Sequence, residues 1–237
     1  AHVVADETGA RAFVTLSDED AVAVVDLATH AVAQTIETGE YPHGLRISPD
    51  GETIYVANVE GDSVSVLDAA SLTQLTRIPV GDAPVQVGFT PDGSRVYVSL
   101  RDENRVAVID TRTREVIGRI EVGPSPIQVY ATLDGRFVYV ANQGTELAPN
   151  DTVSVIDIAG GAVIDSIRTG SGAHGVSVSG DGRFVFVTNT VEGTVSVIDA
   201  ESRDVVADIP VGAGPNGITF RGDNVPGDPV RWDLPPN

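Results

Sequence analysis

Three of the four histidines in this chain occupy corresponding places in a repeated sequence pattern. His43 and His174 are 131 residues apart, which is also the separation of the turn glycines Gly51 and Gly182. His2 falls one residue later in the same pattern. Imidazole nitrogens are common ligands of divalent metals, and a bound metal can activate water. We therefore predict a divalent-metal site formed by these three histidines, provided that the fold brings them together.

The three histidine side chains are positioned by a repeated sequence. SPDGETIYVAN (48–58) returns as TPDGSRVYVSL (90–100), TLDGRFVYVAN (132–142) and SGDGRFVFVTN (179–189), and a diverged copy, DETGARAFVTL (6–16), precedes them. The turn glycines of successive copies are 42, 42, 42 and 47 residues apart. Repeats of this length are typical of solenoids, propellers and arrays.

Each repeat unit carries four short runs rich in Val, Ile, Tyr or Thr, and no segment has helical periodicity. In the second unit the predicted strands are 43–48, 53–58, 63–68 and 74–78. An Asp-Gly pair between the first two strands suits a tight hairpin, because glycine tolerates positive φ. Four antiparallel strands in about 42 residues predict an all-β chain of β-propeller blades. A β-helix has shorter, parallel coils, and an immunoglobulin-type domain needs more residues, so both are disfavoured.

The motifs YVAN, YVSL, YVAN and FVTN precede VSVID-like and IPVG-like strands. This order of motifs resembles the YVTN-type β-propeller repeat family over residues 1–220. The resemblance implies a propeller fold and an extracytoplasmic or cell-surface protein. Related propellers include lactonase-like enzymes, haem-binding domains and surface-layer proteins. The family has no single catalytic motif to transfer.

The number of blades follows from counting units. Five complete units run over 1–41, 42–83, 84–125, 126–172 and 173–214, a sixth copy of the first strand lies at 215–220, and 221–237 is an irregular tail. We predict five blades with an extra first strand. Six blades, or part of a seven-bladed ring, are the alternatives.

In a propeller the first strand of each blade lines the central axis, so the predicted site is the mouth of the central channel. Gln86, Gln128 and Asn216 correspond to the histidine positions in other units and are predicted as polar residues of this mouth. Glu146 and Asp151 lie in the loop of the fourth unit that contains its five extra residues, on the same face. The alternative is that the histidines are ordinary polar residues that cap backbone groups at a solvated mouth.

The composition restricts the partners. The net charge of −19 opposes binding to nucleic acid, and no apolar run reaches the roughly 18 residues needed for membrane insertion. Cysteine is absent, which excludes disulfides and thiolate metal sites. All fifteen basic residues are arginine, a pattern explained equally by salt adaptation or by a GC-rich coding sequence.

Two functions follow. The leading hypothesis is an extracytoplasmic binding or assembly module that takes a small molecule or a protein. The alternative is a metal-dependent hydrolase of the lactonase type with its site at the channel mouth, which would use a divalent metal as its cofactor.

Overall fold

The computed structural model describes residues 2–220, and its strands form five four-stranded antiparallel sheets. In every sheet the strands are neighbours in chain order, so each sheet is a simple meander. Each sheet lies within one repeat unit, and we call it a blade. The prediction of an all-β propeller with five four-stranded blades is confirmed. None of the helices among the described residues is long and apolar enough to cross a membrane.

The strand bounds repeat from blade to blade. Blade 1 contains β1 (Val3–Ala5), β2 (Arg11–Leu16), β3 (Ala21–Asp26) and β4 (Ala31–Glu37). Blade 2 contains β5 (Pro42–Ile47), β6 (Thr53–Asn58), β7 (Ser63–Asp68) and β8 (Thr73–Pro79). Blade 3 contains β9 (Pro84–Phe89), β10 (Arg95–Leu100), β11 (Arg105–Asp110) and β12 (Glu115–Glu121). Blade 4 contains β13 (Pro126–Ala131), β14 (Phe137–Gly144), β15 (Pro149–Asp157) and β16 (Ala162–Arg168). Blade 5 contains β17 (Ala173–Val178), β18 (Phe184–Asn189), β19 (Thr194–Asp199) and β20 (Val205–Pro210). Short 3-10 helices lie at Ser17–Glu19 and Arg101–Glu103.

The Asp-Gly turn between the first two strands has the conformation that the sequence predicts. Gly51 has φ of 75°, and its N–H donates to the Ser48 carbonyl. The Asp50 carboxylate accepts from the Ser48 hydroxyl and from the Glu52 N–H. These bonds satisfy the backbone of the turn, which explains why the phrase recurs in the other blades.

The core of the molecule lies between the blades. One cluster joins blades 2 and 3 and contains Tyr55, Val64 and Ile78 from blade 2 with Val87 and Val96 from blade 3. Equivalent clusters join blades 1 and 2, 3 and 4, and 4 and 5. We call the sheet face that packs on the following blade the trailing face, and the opposite one the leading face. The described residues therefore form four blade junctions for five blades.

A second feature of the junctions is polar. The Asn58 amide nitrogen donates to the hydroxyls of Ser63 and Ser65, and the Ser65 hydroxyl also accepts from the N–H of Gly39 in the preceding blade. Asn142 and Asn189 repeat this arrangement with Gly123 and Gly170. All three asparagines are fully buried. They thus connect strands and blades across a junction, and they do more than cap their own loops.

Residues 215–220 were predicted to form a sixth first strand, but they are not a strand in the structure. The segment belongs to none of the sheets in the described part of the chain. A β-strand needs a hydrogen-bonded neighbour, and no second strand follows this segment within residues 2–220. The predicted tail 221–237 lies outside the described residues.

The junction at Gly39 leads to a stability prediction. A Cβ atom at residue 39 would lie 2.6 Å from the Asn58 amide nitrogen and 2.7 Å from its Cγ atom. Because both groups are buried, Gly39→Ala should lower the free energy of unfolding by about 2 kcal/mol. Denaturant unfolding followed by circular dichroism measures the change.

Gly118→Ala is the matched control. Gly118 lies inside β12, has no positive φ, and would place its new Cβ in open space. It should change stability by no more than about 0.5 kcal/mol, or increase it. If the free energy of unfolding fell equally in the two variants, the close contact with Asn58 would not be the reason why residue 39 is glycine.

Candidate functional site at the channel mouth

The first strands of the blades line the central channel, because β1, β5, β9, β13 and β17 contact one another in succession. His43 is the second residue of β5 and His174 is the second residue of β17. His2 directly precedes β1. All three side chains are therefore carried to the same end of the channel, and all three are partly buried.

The histidines are not equally close to one another. The rings of His2 and His43 contact each other, with centroids 4.4 Å apart and planes tilted by 58°. His174 lies near enough for its charge to lower the pKa of His2, and the charge of His43 lowers the pKa of His174. The structure thus assembles a pair of rings with a third imidazole in electrostatic range.

A backbone carbonyl of the neighbouring segment fixes the tautomer of two of these rings. Nδ1 of His43 lies 3.1 Å from the Val85 carbonyl oxygen, and Nδ1 of His174 lies 2.6 Å from the Asn216 carbonyl oxygen. A carbonyl oxygen only accepts, so Nδ1 carries the proton in both rings. In the neutral imidazole, Nε2 is then left with a free lone pair. Each histidine presents a hydrogen-bond acceptor or a ligand atom.

The mouth keeps its histidines neutral. Burial, together with the charge of His43, lowers the pKa of His2 to about 4. Burial also lowers the pKa of His43 and of His174, although each hydrogen bond to a carbonyl raises it in part. No carboxylate is among the groups that shift the pKa of His43 or His174. The imidazoles are therefore uncharged near neutral pH.

These residues were predicted to be metal ligands. Within residues 2–220, no group of three or more His, Asp or Glu side chains is arranged to hold a metal ion. A zinc site requires three or four protein ligands. The structure provides two Nε2 atoms with oriented lone pairs, which do not complete such a set.

Arg46 is a further candidate residue of this site, and the sequence analysis did not predict it. It lies in β5, and burial lowers the pKa of its guanidinium. Its charge contributes to lowering the pKa of His2 in blade 1, and Tyr130 in blade 4 partly offsets the lowering of the pKa of Arg46, so residues of blades 1 and 4 lie within electrostatic range of the guanidinium. The corresponding residue of blade 3 is Gly88, which has no side chain to separate Arg46 from Tyr130.

Among the described residues, no carboxylate oxygen lies within 4.0 Å of the Arg46 guanidinium to form an ion pair. Its hydrogen bond is from Nη1 to the carbonyl of Leu45, 3.1 Å away. Aligning the first strands would have revealed it, because Val4, Gly88, Tyr130 and Ser177 are the uncharged residues at the same position.

Two of the predicted mouth residues are elsewhere. Gln86 is 1% exposed and Gln128 is 7% exposed. The Gln86 side-chain oxygen accepts from the N–H of Val87. Gly44 of the adjoining blade lies so close to Gln86 that a Cβ atom at residue 44 would be only 2.2 Å from the Gln86 side-chain oxygen. Gln86 is therefore packed between blades 2 and 3, and Gln128 is buried as well, because successive residues of a strand point to opposite faces. Asn216 is exposed and contributes its carbonyl to His174.

The predicted acidic residues of the insertion lie on an extended hairpin. The insertion lengthens β14 and β15, which pair as far as Gly144 and Pro149. Glu146 is exposed in the loop that joins them. Asp151 forms an ion pair with Arg168, with 3.7 Å between Oδ2 and Nε. Neither carboxylate is among the groups that shift the pKa of His43 or His174.

A cleft of about 530 Å³ opens between the loops of blades 2 and 3. Its lining includes Arg101 and four acidic residues, which are Glu60, Asp62, Asp82 and Asp102. Arg101 forms an ion pair with Asp102, 2.8 Å away, and its charge contributes to lowering the pKa of His43. The cleft is thus electrostatically connected to the histidine pair.

Comparisons with known proteins agree with the fold. Residues 68–226 match the family described as YNCE-like beta-propeller, and residues 4–122 match that described as Lactonase, 7-bladed beta-propeller. A chain titled Kuenenia stuttgartiensis Hydrazine Synthase has a similar structure, with a TM-score of 0.71 and 20% identity. The alignment covers 92% of this chain and 88% of that one. No curated protein matches the sequence significantly.

The neutral histidines predict how stability depends on pH. The pKa of His2 is lower in the folded chain than the usual 6.5, so the unfolded chain takes up a proton first as the pH falls. The free energy of unfolding should therefore decrease between pH 6.5 and about 4. Urea unfolding at pH 7 and pH 4.5 measures this decrease, which should be smaller in His2→Gln.

His30→Asn is the control, because His30 is exposed on the turn before β4 and asparagine tolerates its φ of 56°. This variant should keep the pH dependence of the wild type. An unchanged pH dependence in His2→Gln would show that His2 is not the group responsible.

Proposed function

Since the chain belongs to the YNCE-like β-propeller family and its first half also matches the lactonase propellers, we propose that it is an extracytoplasmic binding protein for a small hydroxylated carboxylate. The ligand site is the channel mouth formed by His2, His43, Arg46 and His174. The location outside the cytoplasm is supported by the resemblance to YVTN-type propellers.

The observation that carries this proposal is that no carboxylate of the described residues forms an ion pair with the guanidinium of Arg46. In a chain with 34 acidic and 15 basic residues, a partly buried arginine without a carboxylate partner is a place where an anion gains free energy. A carboxylate can accept two parallel hydrogen bonds from a guanidinium. Arg46 therefore selects the charged end of the ligand.

The histidines supply the second half of the recognition. Their Nε2 atoms are acceptors, because Nδ1 is held by a carbonyl in His43 and in His174. Ligand hydroxyl groups donate to such acceptors. A hydroxy acid is also what remains when water opens a lactone ring, so this ligand class is compatible with the match to lactonases.

Gluconate is a suitable probe, and isothermal titration calorimetry measures its binding. We expect saturable binding by the wild type, and an affinity at least about 10-fold lower in Arg46→Gln, since hydrogen bonds to charged groups contribute about 1.5–3 kcal/mol. His43→Ala and His174→Ala should reduce the preference for gluconate over hexanoate, which lacks the hydroxyl groups.

Arg168→Gln is the matched arginine control, because the Arg168 side chain is 83% exposed and lies on β16, away from the first strands. It should bind gluconate as the wild type does. Binding that is equally strong in Arg46→Gln, or that is absent in the wild type at millimolar gluconate, contradicts the proposal.

A second candidate is a metal-dependent hydrolase, favoured by the free Nε2 atoms of His43 and His174 and by the lactonase match. The test is the melting temperature of the purified chain with and without Zn²⁺. This candidate requires stabilisation of the wild type that is lost in the double variant His43→Ala, His174→Ala. If Zn²⁺ does not change the melting temperature of the wild type, the metal-dependent hydrolase is excluded.

A further inference from the structure

The trailing face of blade 5 is exposed at positions that are buried in every other blade. Four isoleucines occupy one of these positions on the outer strands of blades 1 to 4 and are at most 9% exposed, namely Ile36, Ile78, Ile120 and Ile167. The equivalent residue of blade 5, Ile209, is 39% exposed. Val195 is likewise half-buried, whereas its equivalents Val22, Val64, Val106 and Val153 are fully buried.

The leading face of blade 1 shows the complementary exposure. Val3 is 64% exposed, whereas the equivalent first-strand residues Leu45, Val87, Val129 and Val176 are at most 1% exposed. Val25 is half-buried, and its equivalent Leu67 is fully buried. Among the described residues β17 and β1 have no contact comparable with those between successive first strands. The five blades thus form an open arc whose two ends are the two halves of a blade junction.

The segment 215–220 already repeats part of a sixth blade. His174 contacts the Asn216 carbonyl as His43 contacts the Val85 carbonyl of the next first strand. The rings of Phe186 and Phe220 are stacked 5.9 Å apart, and the equivalent rings of Tyr55 and Phe89 meet at 5.1 Å. The segment therefore lies where a sixth first strand belongs, but it lacks a second strand to pair with.

We propose that the two end faces are docking surfaces for a polypeptide that folds as two further blades of this same repeat. The trailing face of blade 5 and the segment 215–220 would receive one blade, and the leading face of blade 1 would receive the other. Two blades added to five match the seven-bladed description of the family that residues 4–122 resemble. A second copy of this chain matches the faces less well, because it brings five blades rather than two and carries the same charge of −19.

A chimeric chain tests this proposal with blades that are known to pack in this structure. Residues 1–214 are followed by a copy of residues 84–172, because Pro84 and Pro215 open equivalent first strands. Burying both end faces should raise the melting temperature by about 10 °C or more and reduce 8-anilinonaphthalene-1-sulfonate fluorescence several-fold. A chimera with a copy of 84–125 alone should gain less, since one face stays open.

A substitution distinguishes docking from general stabilisation. Ile209→Arg should change the melting temperature of the 237-residue chain by no more than about 2 °C, yet remove most of the gain in the seven-blade chimera. Ile120→Arg, at the same position of blade 3, should strongly destabilise the 237-residue chain. This comparison remains informative if a chimera does not fold, because equal losses from the two substitutions would contradict an open face.

Two other results would overturn the proposal. One is a seven-blade chimera that folds but has the melting temperature and dye binding of the original chain. The other is concentration-dependent dimerisation of the 237-residue chain in sedimentation velocity, abolished by Ile209→Arg. That outcome would identify a second copy as the occupant of the faces.

Discussion

Packing between blades is the interaction on which the rest of this structure depends. A four-stranded meander of 35 to 43 residues has apolar side chains on both faces and cannot cover either of them by itself. Each described junction brings a trailing face with a buried aromatic ring, such as Tyr97, against a leading face of aliphatic side chains. Stability is therefore a sum over junctions, and the two end faces determine how much of the apolar surface stays uncovered.

The same packing creates the candidate site. Because each first strand lies against the next, a backbone carbonyl of one segment reaches the imidazole of the preceding blade, as Val85 does for His43. This contact fixes the tautomer and leaves Nε2 free at the channel mouth. A similar dependence holds for Arg46 of blade 2, which lies within electrostatic range of His2 in blade 1 and Tyr130 in blade 4. The chemistry of the mouth belongs to the assembled arc and to no single blade.

Electrostatics distinguishes the mouth from the rest of the surface. The chain carries a charge of −19, yet the groups around the histidines include Arg46 and Arg101. Burial makes the guanidinium of Arg46 more dependent on a counter-ion, because its desolvation is not offset by a carboxylate of the described residues. An anionic ligand would provide that counter-ion, whereas the acidic outer surface would keep the protein soluble.

The sequence by itself determined the propeller, the four strands of each blade and the place of the insertion, because repeat spacing and turn chemistry such as Asp50-Gly51 are local properties. It also placed His43 and His174 at one end of equivalent strands. Only the tertiary structure decided that Gln86 is buried, that Arg46 is partly buried, and that Ile209 is exposed while Ile120 is buried. The reason is physical: alternation along a strand says which residues share a face, but burial depends on whether another blade covers that face.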